Sequence, residues 1–232
     1  MTPDDERAVE AVAARAQELV GDGARVGLGS GRTAAAFVAR LGARVREGLR
    51  VSGVATSEAT AAQARALGIP LVELDDVELD LTIDGADEVA PNLDLVKGWG
   101  GALVRERIVA SASRRQVILV GHDKLVGALG EHRRIPVEVI PLARGPVVRE
   151  LRALGIEPVV RVSEGRPVIT DNGNLILDCA PAGPLPDGRA ARALEATLCA
   201  IPGVVDTGLF LGTAERVLVG YPDGRVEVRT RS

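Results

Sequence analysis

The feature that most constrains the fold is an alternation of short apolar runs with amphipathic helical patterns along the first half of the chain. Val51–Ala55 and Val117–Val120 are short runs that are predicted to be strands. Ser57–Leu67 and Ala102–Ser111 instead carry apolar side chains at helical spacing. Strands that alternate with helices form βαβ units in which the strands run parallel. The sequence therefore predicts an α/β fold built on a Rossmann-like, mostly parallel sheet.

The same alternation extends on both sides of these segments. The first helix starts well, because Thr2 can cap it, Pro3 fits its first turn and acidic residues follow at the positive end of the helix dipole. Gly21 is expected to end it. The other predicted elements of this region are strands at Arg25–Leu28, Leu71–Leu74 and Leu79–Ile83 and a helix at Thr33–Glu47.

The pattern changes near Glu131, where a β-α-β-β-β-α-β order begins. This order predicts a smaller α+β (ferredoxin-like) domain at 131–206, inserted into an α/β catalytic domain formed by 1–130 and 207–232. A terminal hairpin of Val217–Gly220 and Val226–Val228 completes the larger domain. The predicted elements of the smaller domain are Ile135–Ile140, Pro146–Leu154, Val159–Val162, a hairpin of Pro167–Thr170 with Leu175–Cys179 across Asp171-Asn172-Gly173, Arg189–Ile201 and Val204–Leu209.

The composition is that of a folded protein with a mildly acidic surface. Apolar residues make up 46% of the chain, and the formal net charge is −4. Such a surface gives no electrostatic reason to expect nucleic acid or an anionic membrane as a partner. The first ten residues lack the apolar core of a secretory signal, and no apolar run is long enough to span a bilayer. We therefore expect a soluble, cytoplasmic protein.

The cysteines and histidines show no ligand spacing. Cys179 and Cys199 lie in apolar segments and are predicted to be reduced core thiols, with a disulfide or a nucleophile as the alternatives. His122 and His132 form no metal-binding pattern, so no metal site is expected.

Two loops in the first half of the chain have residues suited to a small anionic substrate. Gly27–Thr33 is glycine-rich and leads into a helix, where free backbone N–H groups and the helix dipole bind anions. It matches neither the dinucleotide fingerprint nor the phosphate loop of nucleotide-binding proteins, and a tight turn that needs glycine only for steric reasons is the alternative. Asp84–Glu88 holds three acids in five residues, which are either turn formers or paired carboxylates for proton transfer.

Two further loops add cations and another acid. Lys97 precedes a glycine-rich turn that opens a helix, and Glu106 lies about one turn into that helix. Lys124 follows the strand Val117–Val120. Taken alone, Glu106 could be an exposed acidic residue of the helix, and the Lys124 loop could be a surface loop without a function. All four loops are expected at one edge of a sheet, where ligands bind in parallel α/β folds.

Lysine is rare in this chain. It occurs only at Lys97 and Lys124, while the other 26 basic residues are arginine. A bias toward arginine would remove lysine wherever arginine serves as well. The two lysines are therefore candidates for work that needs a compact ammonium group.

Together these motifs resemble the ordered signatures of the ribose-5-phosphate isomerase A family over nearly the whole chain. The Asp84–Glu88 block together with Lys97-Gly98-x-Gly100 is the specific part of the resemblance. Thr56-Ser57 matches a further signature of the family. The resemblance implies the substrate-binding residues Ser30, Gly31, Arg32, Thr33, Asp84, Gly85, Ala86, Asp87, Lys97, Gly98, Trp99, Gly100 and Lys124.

The resemblance also implies an activity without metal or cofactor. It is the interconversion of D-ribose 5-phosphate and D-ribulose 5-phosphate in the pentose phosphate pathway, by a homodimer or a dimer of dimers. Glu106 would move a proton between C2 and C1, Asp84 and Asp87 would assist ring opening and hydroxyl proton transfer, and Lys97 would stabilise an enediolate. A non-catalytic sugar-phosphate sensor and a CoA-transferase-like enzyme are the alternatives.

The sequence departs from the family pattern at three places. Arg32 stands where a small hydroxyl residue is usual, and Trp99 stands where glycine is usual. Gly121–Asp123 precedes Lys124 where an acid and then a serine are common. These departures concern contacts with the substrate and leave the expected reaction unchanged.

Overall fold

The computed structural model describes residues 2–75, 78–132 and 134–231. Its contacts divide the chain into two compact units. The first unit comprises Met1–Ala86, Arg105–Lys124 and Thr213–Ser232, and the second comprises Asp87–Val104 and Leu125–Gly212. The domain boundaries predicted at 131 and 207 stay a prediction.

The described residues form six α-helices and fifteen strands, numbered in chain order. The helices are α1 (Pro3–Gln17), α2 (Arg32–Arg46), α3 (Glu58–Ala66), α4 (Leu103–Ser111), α5 (Arg144–Ala153) and α6 (Gly188–Cys199). The strands are β1 (Ala24–Leu28), β2 (Val51–Ala55), β3 (Leu81–Gly85), β4 (Glu88–Val89), β5 (Leu95–Val96), β6 (Gln116–Gly121), β7 (Ile135–Val139), β8 (Glu157–Val160), β9 (Val162–Ser163), β10 (Arg166–Pro167), β11 (Leu175–Ala180), β12 (Val204–Thr207), β13 (Leu209–Phe210), β14 (Arg216–Gly220) and β15 (Val226–Thr230).

The first unit is built on a six-stranded sheet in the order β15-β14-β6-β3-β1-β2. Every neighbouring pair is parallel except the terminal hairpin of β14 and β15. The core between the sheet and its helices holds fully buried side chains such as Phe37, Leu41, Ile83 and Leu119. The predicted α/β fold with a mostly parallel sheet is confirmed.

Helix α1 follows the start signals in its sequence. The Thr2 hydroxyl accepts a hydrogen bond from the N–H of Asp5 at 3.2 Å, and the Asp5 carboxylate accepts one from the N–H of Thr2 at 2.9 Å. This reciprocal pair is a capping box, and Pro3 occupies the first turn. Val12 and Ala16, one turn apart, are fully buried in the core of the first unit.

The second unit has a four-stranded antiparallel sheet in the order β12-β7-β11-β8, with α5 and α6 in the connections. This is the predicted ferredoxin-like α+β arrangement. Its core packs Val137, Leu151, Leu177 and Leu198 together. A second, three-stranded sheet, β13-β5-β4, was not predicted.

Three predicted strands are wrong in extent, and one of them, Val159–Val162, is divided between β8 and β9. At Leu71–Leu74, Leu71 is the one described residue that forms a bridge, to Gly53. Val204–Leu209 divides into β12 and β13 at Gly208. A Cβ atom at Gly208 would lie 2.3 Å from the Lys97 carbonyl oxygen, so glycine permits the close approach at which the chain changes sheets.

The hairpin predicted across residues 171–173 forms only at its turn. The Thr170 N–H donates to the Asn174 carbonyl at 2.9 Å, but a single bridge, Ile169 with Leu175, joins the two arms. Strand β11 pairs instead with β7 and β8, while β10 pairs with β9. Pro167 in β10 has no N–H to donate, which limits its use in a longer ladder.

The two cysteines differ in exposure. Cys179 is buried as predicted, and burial raises the pKa of its thiol to about 12. Cys199, at the end of α6, is exposed, so the prediction of a core thiol is wrong there. The two thiols are not disulfide-bonded.

Candidate active site

Three of the four predicted loops leave the carboxyl ends of neighbouring parallel strands in the first unit. The loop after β1 begins at Gly29, Asp84 and Gly85 end β3, and His122–Lys124 follows β6 as a short 3₁₀ turn. Since β1, β3 and β6 are adjacent in the sheet, the expectation that these loops share one edge is confirmed.

Asp84 is fully buried at the centre of this edge. Its Oδ1 accepts hydrogen bonds from the N–H of Ser30 at 3.0 Å and from the N–H of Gly85 at 2.7 Å. A Cβ atom at Gly29 would lie 2.2 Å from the same oxygen, so glycine is required there by close approach. The structure thus brings the glycine-rich loop and Asp84 into direct contact.

The loop after β1 ends at the N-terminus of α2. Gly31 is the N-cap residue with φ +87°, and within the described residues no side chain caps the 15-residue helix. Arg32 is exposed, and the Thr33 hydroxyl donates to the Leu119 carbonyl at 3.0 Å. The first N–H groups of a helix, left without a side-chain cap, suit an oxyanion.

A cluster of hydroxyl groups supports Ser30. Its Oγ lies 2.7 Å from Thr56 Oγ1, 2.9 Å from Ser57 Oγ and 3.4 Å from Thr60 Oγ1. The Thr60 hydroxyl also donates to the Gly29 carbonyl at 3.0 Å. Ser57 is the N-cap of α3, and its side chain accepts a hydrogen bond from the Thr60 N–H, so the start of this helix fixes the cluster.

Glu106 lies in the first turn of α4 and is only 5% exposed. The alternative that it is an exposed helix acid is therefore wrong. The preceding residue, Arg105, forms an ion pair of 2.8 Å with Glu58 at the start of α3. This contact joins Arg105 of α4 to the first residue of α3.

Lys124 is a partly buried cation, with a side chain 26% exposed. Its Nζ lies 3.1 Å from the Asp123 carboxylate. The neighbouring His122 stacks on Tyr221, with ring centroids 5.4 Å apart. The segment that departs from the family pattern is thus ordered by contacts of its own.

The Lys97 loop belongs to the second unit and follows β5 in the three-stranded antiparallel sheet. Among the described residues, β5 pairs with the short strands β4 and β13, so the Lys97 loop does not follow a strand of the six-stranded sheet. Lys97 is 2% exposed, and its Nζ lies 5.5 Å from the centroid of the Phe210 ring. Its backbone N–H donates to the Gly208 carbonyl at 2.8 Å.

Asp87 and the Lys97 loop are directly bonded. Asp87 Oδ2 accepts a hydrogen bond from the Trp99 N–H at 2.8 Å, and its own N–H donates to the Val96 carbonyl. Gly98 has φ +100°, a conformation that favours glycine. Of the other predicted binding residues here, Ala86 is half-buried and Gly100 is exposed.

Glu88, the third acid of the Asp84–Glu88 segment, is a structural anchor. Its fully buried carboxylate accepts hydrogen bonds from the N–H of Gly130 at 2.6 Å and from the N–H of His132 at 2.9 Å. His132 Nδ1 lies 2.8 Å from the same group. Glu88 therefore holds residues 130–132 in place.

Similarity to known proteins was found for most of the chain. The family model of ribose 5-phosphate isomerase A (phosphoriboisomerase A) matches residues 52–224. Ribose-5-phosphate isomerase A of Gloeobacter violaceus is 52% identical over 225 residues, which are 96% of each chain. The chain belongs to the ribose 5-phosphate isomerase A family.

Two solved structures agree with this assignment. Ribose 5-phosphate isomerase A from Methanocaldococcus jannaschii superimposes with a TM-score of 0.91 at 43% identity, covering 97% of this chain and 99% of that chain. A D-ribose-5-phosphate isomerase in complex with phospho-erythronic acid has a TM-score of 0.92 at 35% identity and covers 100% of both chains. The resemblance stated from the motifs is confirmed, and the protein is an isomerase.

Two residues near these loops were not found from the sequence. Thr60 occupies the third position after the N-cap Ser57, and that spacing was its only signal. Arg161 donates hydrogen bonds to the carbonyl oxygens of Gly98 and Trp99, and nothing in its own segment marks it. Among the described residues, no cluster of three potential metal ligands occurs and no helix is long and apolar enough to cross a bilayer.

Proposed function

We propose that the protein interconverts D-ribose 5-phosphate and D-ribulose 5-phosphate through an enediolate, with Glu106 as the base. The observation that carries the proposal is the burial of Glu106 at the start of α4, within the segment that resembles a motif of the family. A carboxylate shielded from water is suited to proton transfer with carbon. The substrate is inferred from the relatives, which are named ribose-5-phosphate isomerases.

Isomerisation moves one proton between carbons and one between oxygens. From the aldose, the Glu106 carboxylate removes the C2 proton, the C1–C2 double bond forms, and O1 takes the negative charge. Glu106 then returns the proton to C1, while the O2 hydroxyl loses its proton and becomes the ketone oxygen. Asp84 and Asp87 assist ring opening and carry the hydroxyl proton to O1.

Lys97 has the role of stabilising the negative charge of the enediolate. Its ammonium group is almost fully buried, and a preorganised charge acts most strongly where water is excluded. The ring of Phe210 beside it contributes a weak attraction to the same cation. The loop residues Gly98, Trp99 and Gly100 are proposed to contact the sugar.

The substrate phosphate is assigned to the N-terminus of α2. Ser30, Gly31, Arg32 and Thr33 supply N–H and hydroxyl donors there, and Lys124 supplies a positive charge. Gly85 and Ala86 are assigned to the sugar beside Asp84. The complex of a structural relative with phospho-erythronic acid supports a site for a phosphate and a second oxyanion.

The test is conversion of D-ribose 5-phosphate in heavy water. Proton exchange at the base should place deuterium on C1 of the ketose, because the enediolate exchanges its proton through Glu106. Formation of ketose without any deuterium would contradict the enediolate, and loss of activity on adding a chelator would contradict catalysis without a metal. Binding without turnover would point instead to a sensor.

The wider setting is part of the same proposal. The reaction belongs to the pentose phosphate pathway, requires no cofactor, and takes place in the cytoplasm. The enzyme is proposed to act as a homodimer or a dimer of dimers, which sedimentation equilibrium would measure directly.

A further inference from the structure

Arg161 directly follows strand β8 of the second unit, and its side chain reaches the loop that follows Lys97. Its side chain is only 8% exposed, and its backbone N–H donates to the Ile176 carbonyl at 2.9 Å. Nη1 of its guanidinium donates to the carbonyl oxygen of Gly98 at 2.7 Å and to that of Trp99 at 3.0 Å. The guanidinium therefore binds two consecutive peptide groups of the loop.

Asp178 on β11 holds this guanidinium in place. Arg161 Nε donates to Oδ2 of Asp178 at 3.0 Å, and Nη2 donates to Oδ1, so the pair is bidentate. Arg134 Nε lies 3.2 Å from the same carboxylate, and the Arg134 guanidinium lies 5.2 Å from the centroid of the Trp99 ring. Three charged side chains thus form a scaffold beside the loop.

The orientation of the loop follows from the two peptide groups that Arg161 binds. In a trans peptide, the C=O and the N–H point in opposite directions. The peptide that joins Gly98 to Trp99 is held at both ends, because its C=O accepts from Arg161 and its N–H donates to Asp87. In the next peptide, the N–H of Gly100 is directed away from Arg161.

The loop needs an external support because its own sequence provides little rigidity. Glycine occupies positions 98, 100 and 101, and the φ angles of Gly98 and Gly101 are +100° and +90°. A charged donor forms stronger hydrogen bonds than a neutral one, and polarised peptide groups become better donors in turn. A lysine could not bind both carbonyls and the carboxylate with the same fork geometry.

We propose that Arg161 is a positioning residue for the isomerase reaction. It fixes the peptide groups that follow Lys97, and with them the position of the Lys97 ammonium and the direction of the Trp99 and Gly100 N–H groups. The inference rests on the proposed function, in which Lys97 stabilises the enediolate.

The test substitutes Arg161→Lys and uses Arg115→Lys as a matched control. Arg115 also binds a carboxylate through Nε and Nη2, that of Glu215 at 2.6 and 3.2 Å, but belongs to the first unit. Displacing a reacting group by about 1 Å costs about 10²-fold in rate. We expect Arg161→Lys to lower kcat by about 10- to 100-fold with KM within about threefold, and Arg115→Lys to leave both unchanged.

A second readout does not depend on activity. Trp99 is the only tryptophan of the chain and lies in the loop itself, so its fluorescence anisotropy reports loop mobility. The anisotropy should fall in Arg161→Lys and stay at the wild-type value in Arg115→Lys. In Arg161→Ala, added guanidinium ion should restore part of kcat, whereas ammonium at equal ionic strength should not.

Each outcome decides the proposal. A folded Arg161→Lys variant with unchanged kcat and unchanged anisotropy overturns it, and so does an equal loss of kcat in Arg115→Lys. If Arg161→Lys does not fold, Asp178→Asn is the second variant, because it keeps the arginine but weakens the ion pair that holds it. Its kcat and its Trp99 anisotropy should fall less than the values expected for Arg161→Lys. Lack of isomerase activity in the wild type overturns the proposed function instead, while the anisotropy still decides whether Arg161 holds the loop.

Discussion

The Asp84 loop of the first unit and the Lys97 loop of the second are supported in opposite ways. Around Asp84 and Ser30, the supporting groups are backbone N–H donors and the hydroxyls of Thr56, Ser57 and Thr60. Around Lys97, the support includes the charged residues Arg161, Asp178 and Asp87. One loop is supported by neutral groups at the ends of parallel strands, and the other by an ion pair beside antiparallel strands.

This difference indicates that the loop of the first unit is sensitive to changes in side-chain shape, and the loop of the second unit to changes in charge. The hydroxyl groups around Ser30 are neutral, so this part of the first support depends on shape and volume. An ion pair depends on protonation and on the fork geometry of arginine. Substitutions that change the charge of a side chain but keep its shape, or change its shape but keep its charge, can therefore test this comparison.

The largest effect is expected for Glu106→Gln, which preserves shape and removes the base. Loss of a general base typically lowers the rate by about 10²–10⁴-fold. We expect kcat to fall by that factor while folding and phosphate affinity stay near wild type. Steady-state kinetics, with circular dichroism and inorganic phosphate binding as controls, measures this. A variant with near-normal kcat would remove Glu106 from its role.

A smaller loss is expected for Lys97→Arg, which preserves charge and changes shape. The guanidinium is wide and planar, and would lie differently beside Gly98 and Phe210 than the compact ammonium does. Loss of one preorganised stabiliser of negative charge costs about 10²–10³-fold in kcat.

Lys124→Arg is the matched control, because Lys124, the other lysine of the chain, lies in the first unit and is assigned to phosphate. Holding phosphate requires positive charge more than a particular shape, so the change should fall mainly on KM. Equal kinetic constants in Lys97→Arg and Lys124→Arg would show that the different supports of the two lysines do not affect catalysis. A near-wild-type kcat in Lys97→Arg would show that catalysis does not require lysine there, and that lysine occurs at these two positions by chance.

The smallest effect is expected on stability, in Asp178→Asn. Burial opposes ionisation of Asp178, but hydrogen bonds from Arg161 and Arg134 outweigh it and lower the pKa of the carboxyl below its ordinary 3.8. The pair therefore stabilises the fold above the unfolded pKa, and this contribution is lost as the pH falls through the lower folded value.

We expect Asp178→Asn to lower the free energy of unfolding by about 1–3 kcal/mol at pH 7, the size of a charged hydrogen bond. The difference from wild type should shrink as the pH falls below about 4. Urea unfolding between pH 7 and pH 3 measures it, with Thr60→Val as a control whose deficit should not depend on pH. A pH-independent deficit in Asp178→Asn would contradict the ionic account of this support.

The candidate residues of the first unit were largely predictable from the sequence. Short apolar runs predicted β1, β3 and β6, and the convergence of parallel strand ends then brings Ser30, Asp84 and Lys124 to one edge. The burial of Glu106 did not follow from its position in the first turn of α4, because neighbouring side chains decide exposure.

The candidate residues of the second unit were less predictable. The two-residue strands β4, β5 and β13 are too short for a period of two to be recognised, so the sheet that carries Lys97 was missed. Arg161 lies 64 positions after Lys97, and no local pattern links an arginine to distant carbonyl oxygens. Family motifs identified the loop, but its support depends on tertiary contacts.

The order of strands in the first unit also matters during synthesis. Strand β14 lies between β6 and β15, yet it leaves the ribosome only after every strand of the four-stranded sheet of the second unit. Until then, β6 is an edge strand of four parallel strands, with the unpaired N–H and C=O groups of an apolar segment exposed. A nascent chain arrested before residue 216 therefore presents an open, apolar strand edge, which is the kind of surface that chaperones bind and that aggregates when left uncovered.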